Sequence, residues 1–193
     1  MRHLRSLLLV ALLSAAPEVR AQQQVFHLDR SQSSVEFTLA DVLHTVHGTF
    51  RMKSGDLELN PANGKASGTL IVDATSGDTG NQSRDHKMHK EILESAKYPE
   101  IRFTIQTIHG SLPTDGISQL ELSGVMTLHG SDHAFTVTAP VRVSNGRAAA
   151  DVPFVVPYVQ WGLKNPSTFL LRVSDKVDIV VHAVGSLSPA VKQ

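Results

Sequence analysis

The sequence contains no cysteine. That absence excludes disulfide bonds, catalytic thiols, thiolate metal sites and a lipidated N-terminal cysteine. It also lacks an excess of charge of either sign: 18 basic and 18 acidic residues balance to zero. Nucleic-acid binding needs a concentrated basic face, so no nucleic acid is expected as a partner. Past the N-terminus, no segment approaches the roughly 18 consecutive apolar residues of a membrane helix, and no membrane span is expected. There is no G-x-S-x-G nucleophile elbow and no H-E-x-x-H zinc motif. No repeat, linker or low-complexity stretch divides the chain.

What is present begins with an export signature. Arg2 and Arg5 form a positive segment, Leu7 to Ala16 an apolar core, and Val19-Arg20-Ala21 a small-x-small cleavage site. The apolar run is too short for a stable anchor. Residues 1–21 are therefore expected to be a signal peptide. The mature chain, Gln22 onward, is expected to be one soluble domain, periplasmic or secreted, of a size that buries a real core.

The mature chain alternates apolar and polar residues. Val35, Phe37 and Leu39 share one phase; so do Ile101, Phe103 and Ile105, then Phe135, Val137, Ala139, Val141 and Val143, then Val177, Ile179, Val181 and Ala183. A period of two marks strands with one dry face and one wet face. It predicts strands near 24–29, 33–40, 43–52, 55–60, 67–74, 99–109, 118–129, 132–144, 147–157 and 170–184. Turn signals separate them, among them Lys53-Ser54-Gly55, His129-Gly130-Ser131 and Asn145-Gly146. Many strands joined by short turns imply a meander that closes into a barrel, which removes exposed edges. The alternation stops once, over residues 76–93. Thr79 with Gln82 reads as a capping pair, and Met88 with Ile92, like His89 with Leu93, stand four apart as on one helix face. One amphipathic helix near 81–93 is therefore expected against the barrel. Arg84-Asp85 reads as a local ion pair at its start. Residues 158–170, with the single Trp, read as a long loop near a barrel mouth.

An ordered set of motifs carries a family resemblance. It comprises Phe26-His27-Leu28-Asp29, Ser34-Val35-Glu36-Phe37 and Leu43 to Phe50, then Asp73 to Asn81, Arg84-Asp85 and Met88-His89. Lys97 to Phe103, Leu122 with Gly124, and Leu128-His129-Gly130 complete it. The chain resembles the YceI-like family of exported lipid-binding proteins from about Phe26 to Gly185. The resemblance implies an all-β fold, a lipocalin-like antiparallel barrel of about eight strands with one short inserted helix. It implies an elongated apolar cavity holding a polyisoprenoid chain or another long lipid, and no catalytic residue set. The extra histidines and the Trp161 to Ser167 loop depart from the common pattern.

An apolar ligand needs large inward side chains around unfilled space. The candidates for that lining are Phe37, Leu39, Val46, Phe50, Met88, Ile92, Phe103, Ile105, Met126, Leu128, Phe135, Phe154, Tyr158 and Trp161. In sequence a cavity wall and a packed core look alike. The histidines support a second reading, a metal-binding or metal-assisted hydrolytic protein. His86 and His89 could converge if both lay on one helix, whereas His44 and His47, three apart on a strand, face opposite sides. No converging set of three ligands is evident, so no metal and no cofactor is assigned. A barrel with a filled interior is a third reading. The oligomeric state stays open, a homodimer included.

Overall fold

The alternating segments form antiparallel strands in the computed structural model, which describes residues 23–40, 45–168 and 172–190. In chain order they are β1 (Gln24–Leu28), β2 (Ser34–Ala40), β3 (Thr45–Asn60), β4 (Lys65–Asp78), β5 (Glu100–His109), β6 (Gly116–Leu128), β7 (Ser131–Ser144), β8 (Arg147–Val156) and β9 (Val177–Pro189). From β3 to β9 each strand pairs with the next. The barrel then closes through β1 and β2, which lie one after the other between β9 and β3. Among the described residues, nine strands thus fill eight positions, because β1 and β2 share one. At the break between them, Asp29 accepts hydrogen bonds from the Ser31 N–H and hydroxyl, which pull its carboxyl below the usual range.

Two of the tight hairpins read from the sequence are built as expected. Asn145 and Gly146 both have positive φ (51° and 71°), as do His129 and Gly130 (52° and 74°). That backbone matches the right-handed twist of the flanking strands.

Three expectations are corrected. Residues 43–52 and 55–60 are not two strands: β3 runs unbroken from Thr45, and Lys53-Ser54-Gly55 is a bulge within it. Gly55 is buried there because the Leu70 and Leu28 side chains occupy the space a Cβ would need. Among the described residues the last strand starts at Val177 rather than near 170, and just before it the Val159 N–H donates to the Asp175 carbonyl. The helix is capped by Asn81, not Thr79: the Asn81 side chain accepts from the Arg84 N–H.

The helical segment is short. An α-helix, α1 (Gln82–Lys87), passes directly into a wider π-helical turn over Met88–Ile92, where the Leu93 N–H reaches the Met88 carbonyl. A bulge in β4 between Asp73 and Asp78 sets where this segment starts. The Thr75 N–H and hydroxyl donate to Asp73, and the Ser76 hydroxyl donates to the Asp73 carbonyl. Inside the bulge, a Cβ on Gly77 would lie 2.6 Å from the Phe50 ring and 2.7 Å from the Met88 methyl. Glycine there lets the helix seat on the barrel. The signal-peptide expectation for residues 1–21 lies outside the described residues.

Candidate functional site

Toward one end of the barrel the inward side chains form a core cluster. Phe26, Leu57, Leu59, Ile105, Ile108 and Leu120 are buried in a single cluster, with Ile108 fully inaccessible. A cavity of about 680 Å³ runs along the interior and reaches Phe26, Leu57, Leu59 and Leu120 of this cluster, but not Ile105 or Ile108. Its walls are Leu, Val, Phe, Met and Ala from all sides of the barrel, and the helical segment closes over it with Met88, Ile92 and Leu93. Polar residues gather where α1 begins: Thr79, Asn81, Ser83, Arg84 and Lys87 border the cavity there. Arg102 also touches its edge, but its guanidinium is held by Glu100 at 2.9 and 2.5 Å.

Twelve of the fourteen residues singled out as lining stand on this wall: Phe37, Leu39, Val46, Phe50, Met88, Ile92, Phe103, Met126, Leu128, Phe135, Phe154 and Tyr158. Their strands place them by alternation, and Phe103, Phe135 and Phe154 meet edge to face at 5.7 and 4.9 Å. Ile105 and Trp161 stand elsewhere. Ile105 shares the inward phase of Phe103, but it sits beside the β5 bulge, within the core cluster. Trp161 lies flat on His133, with ring centroids 4.2 Å apart and planes within 4°. Sequence reasoning missed Leu163, Pro166 and Val173, which border the cavity from irregular segments that no periodicity describes, and Leu93, which borders it from the end of the helical segment.

The wall has a seam. β7 and β8 pair only from Val141–Ala150 to Ser144–Arg147, although both strands continue well beyond. Pro140 and Pro153 lie on the two edges past the last rung, and proline has no N–H for a ladder. Side chains close the gap instead. Phe135 of β7 meets Phe154 of β8, and His133 of β7 meets Trp161 from the loop after β8. That loop is tied back by the buried Tyr158 hydroxyl, which donates to the Ser174 carbonyl at 2.6 Å. Burial, helped by Asp175, pushes the Tyr158 phenol up, so it stays a donor.

The helical cover is held by polar contacts at both ends. Arg84 and Asp85 do not pair with each other as expected; both bind Thr79. The Thr79 N–H and hydroxyl donate to Asp85 (2.9 and 2.6 Å), while Arg84 donates to the Thr79 hydroxyl and carbonyl (2.8 and 3.1 Å). At the far end Glu94 turns the chain with φ 45° and meets His129 at 2.6 Å, and His129 packs on Tyr98. His89 does not converge with His86. Its Nε2–H donates to the Gly77 carbonyl (2.9 Å), and its Nδ1 meets the Ser95 hydroxyl (3.0 Å), so both ring nitrogens are engaged. His47 bonds Thr38 on the outer face, and His44 lies outside the described residues. Among the described residues, no group of three or more His, Asp or Glu side chains is placed to hold a metal ion.

Fold and cavity together define a class: a closed antiparallel barrel with an apolar internal cavity. The YceI-like domain model matches residues 26–185, and the chain belongs to the YceI-like family. A UPF0312 protein of Pseudomonas savastanoi pv. phaseolicola is 27% identical over 145 residues, covering 74% of this chain and 70% of that protein. Among solved structures, Burkholderia cenocepacia BcnA is similar with a TM-score of 0.66 at 18% identity, covering 81% of this chain and 98% of that one. A polyisoprenoid binding domain from Saccharophagus degradans is similar with a TM-score of 0.63 at 18% identity, covering 84% and 98%. At these identities the structural likenesses establish the fold.

Proposed function

We propose that this protein is an exported, non-catalytic carrier or sequestrant that holds one long apolar molecule, of polyisoprenoid type, inside the barrel. The observation that carries the reading is the cavity. Its volume of about 680 Å³ falls in the range of about 300–1,000 Å³ typical of small-molecule sites. Its wall is apolar from the core cluster to the start of α1. Enclosing a chain there gains about 0.8 kcal/mol per CH₂, so affinity needs no polar handle along the tail. Met88 and Met126 are unbranched and adapt to a chain with many conformers. The similarity to a polyisoprenoid binding domain supports the same ligand class. Export rests on the charged, apolar and small-residue order of residues 1–21. N-terminal sequencing of the native protein is expected to start at Gln22; an intact Met1 on cytoplasmic protein would contradict export.

The test of the ligand class is a chain-length series. Geraniol, farnesol, geranylgeraniol and longer polyprenols are titrated against a displaceable fluorescent fatty-chain probe. Affinity is expected to rise steeply with each isoprene unit and then level off when the cavity is full. Affinity that is independent of length would contradict an enclosed tail.

A further inference from the structure

We propose that the seam between β7 and β8 is a lateral portal, through which a long apolar chain enters and leaves the cavity between parted strands. The portal rests on the reading of the cavity as the site of the chain. Both strands are laddered on their other sides: β7 pairs with β6 from Gly116–Val143 to Leu128–Ser131, and β8 pairs with β9 from Arg147–Ser186 to Val156–Val177. Between β7 and β8 the rungs stop at Val141–Ala150, so residues 131–140 and 151–156 face each other without a ladder. Parting laddered strands strips backbone groups of their hydrogen bonds, which is costly inside a wall. Parting these two separates side chains.

The interior comes close to the surface here. The cavity and a cleft on the outer face share Val141, Ala149, Ala150 and Ala183. Ala150 packs inward on the core cluster and Ala149 is exposed outside, so the two spaces abut across the wall at the last rung. Along the open stretch the closure is Phe135 on Phe154, both on the cavity wall, and Trp161 on His133. The second contact is an imperfect latch. The buried His133 Nε2 has no hydrogen-bond partner among the described residues. A buried nitrogen left unpaired penalises the closed state, and opening lets water reach it. Ile117 and Val155, the exposed large hydrophobics among the described residues, stand on opposite sides of the seam, and Ile117 borders the outer cleft. They offer an arriving apolar chain a first contact outside the barrel.

The experiment pins the seam shut. The chain has no cysteine, so a pair placed across the seam reacts alone. Thr136→Cys and Val155→Cys, both exposed on the outer face, are joined in the full mature protein by a flexible bis-maleimide. Glu58→Cys with Ser67→Cys, rung partners on β3 and β4, carry the same cross-link where the wall is laddered. Entry and exit rates of geranylgeraniol are measured by stopped flow against a fluorescent fatty-chain probe, together with the equilibrium Kd. A blocked route slows entry and exit alike. The seam cross-link is therefore expected to slow both by about tenfold or more while Kd stays within about twofold. The β3–β4 cross-link is expected to leave the parent rates unchanged. Trp161→Ala, which removes the latch without any cross-link, is expected to speed both rates by about threefold or more at a similar Kd. A merely structural role for Trp161 would shift Tm or Kd without speeding entry and exit together. Parent rates in the seam-linked protein and in Trp161→Ala overturn the portal and leave the cavity standing. Equal slowing by the two cross-links also overturns it, because motion of the whole barrel is then what admits the chain. Failure of geranylgeraniol to bind the parent overturns the cavity reading and the portal together.

Discussion

Ile92 stands on the helical cover, where its side chain borders the cavity and is only partly buried against the cluster of Met126, Leu128, Val156, Tyr158 and Leu163. Ile92→Trp therefore fills space while staying apolar. If the cavity is open, stability changes little and binding of long prenyl chains falls, while short apolar probes are less affected. If the space is already filled, overpacking costs about 1–3 kcal/mol. Thermal unfolding and the chain-length series on the same variant separate the two outcomes. A second residue sets a pH dependence. His182 on β9 bonds Asp151 of β8 at 2.7 Å and lies 3.5 Å from Glu36 of β2. The Asp151 hydrogen bond, with help from the charge of Glu36, raises its pKa above the usual histidine value. A raised value means the folded state favours the charged ring. The stabilisation is full below the unfolded value of about 6.5 and is lost as pH rises through the higher folded value. The difference in Tm between the parent and His182→Gln should be largest near pH ~5.5 and vanish on the alkaline side. A difference that grows with pH would contradict the pairing.

Elements were legible in the sequence wherever one face meets the interior and the other meets water. The phase shared by Phe135 to Val143 reappears as the inward face of β7, and Asn145-Gly146 as its turn. What could not be read depends on neighbours distant in the chain. Lys53-Ser54-Gly55 looks like a turn, yet the Leu70 and Leu28 side chains over Gly55 make it a bulge in a continuous strand. Ile105 and Phe103 alternate identically, and only the cluster around Ile105 distinguishes packed core from cavity wall. Trp161 read as lining, but its place is fixed by stacking on His133 from a different strand. The seam between β7 and β8 was likewise invisible, although Pro140 and Pro153 were in view. It carries an expectation of its own. The amides of β7 and β8 that face the seam beyond the Val141–Ala150 rung, unlike those bonded to β6 and β9, should exchange hydrogen faster than those of β3 and β4, which pair over most of their length. Uniform protection around the barrel would show that the aromatic contacts seal the seam as firmly as a ladder.

At the scale of the whole molecule, an apolar cavity runs along the barrel from the cluster around Ile105 and Ile108 to a polar rim beside a short helical cover. A protein stabilised only by its core has no reason to leave about 680 Å³ unfilled along its axis, since such voids forfeit packing contacts. The void is explained if the folded protein normally holds a ligand, whose binding then adds to stability by mass action. The most direct measurement is native mass spectrometry of the protein purified gently from its own host, without detergent or organic solvent. The account predicts a second species, heavier by the mass of one lipid per chain, which collapses to the bare mass on solvent extraction. The extract should contain a single-chain amphiphile that restores the heavier species when added back. A protein that emerges at its bare mass, and takes up no long-chain lipid when offered one, would contradict it.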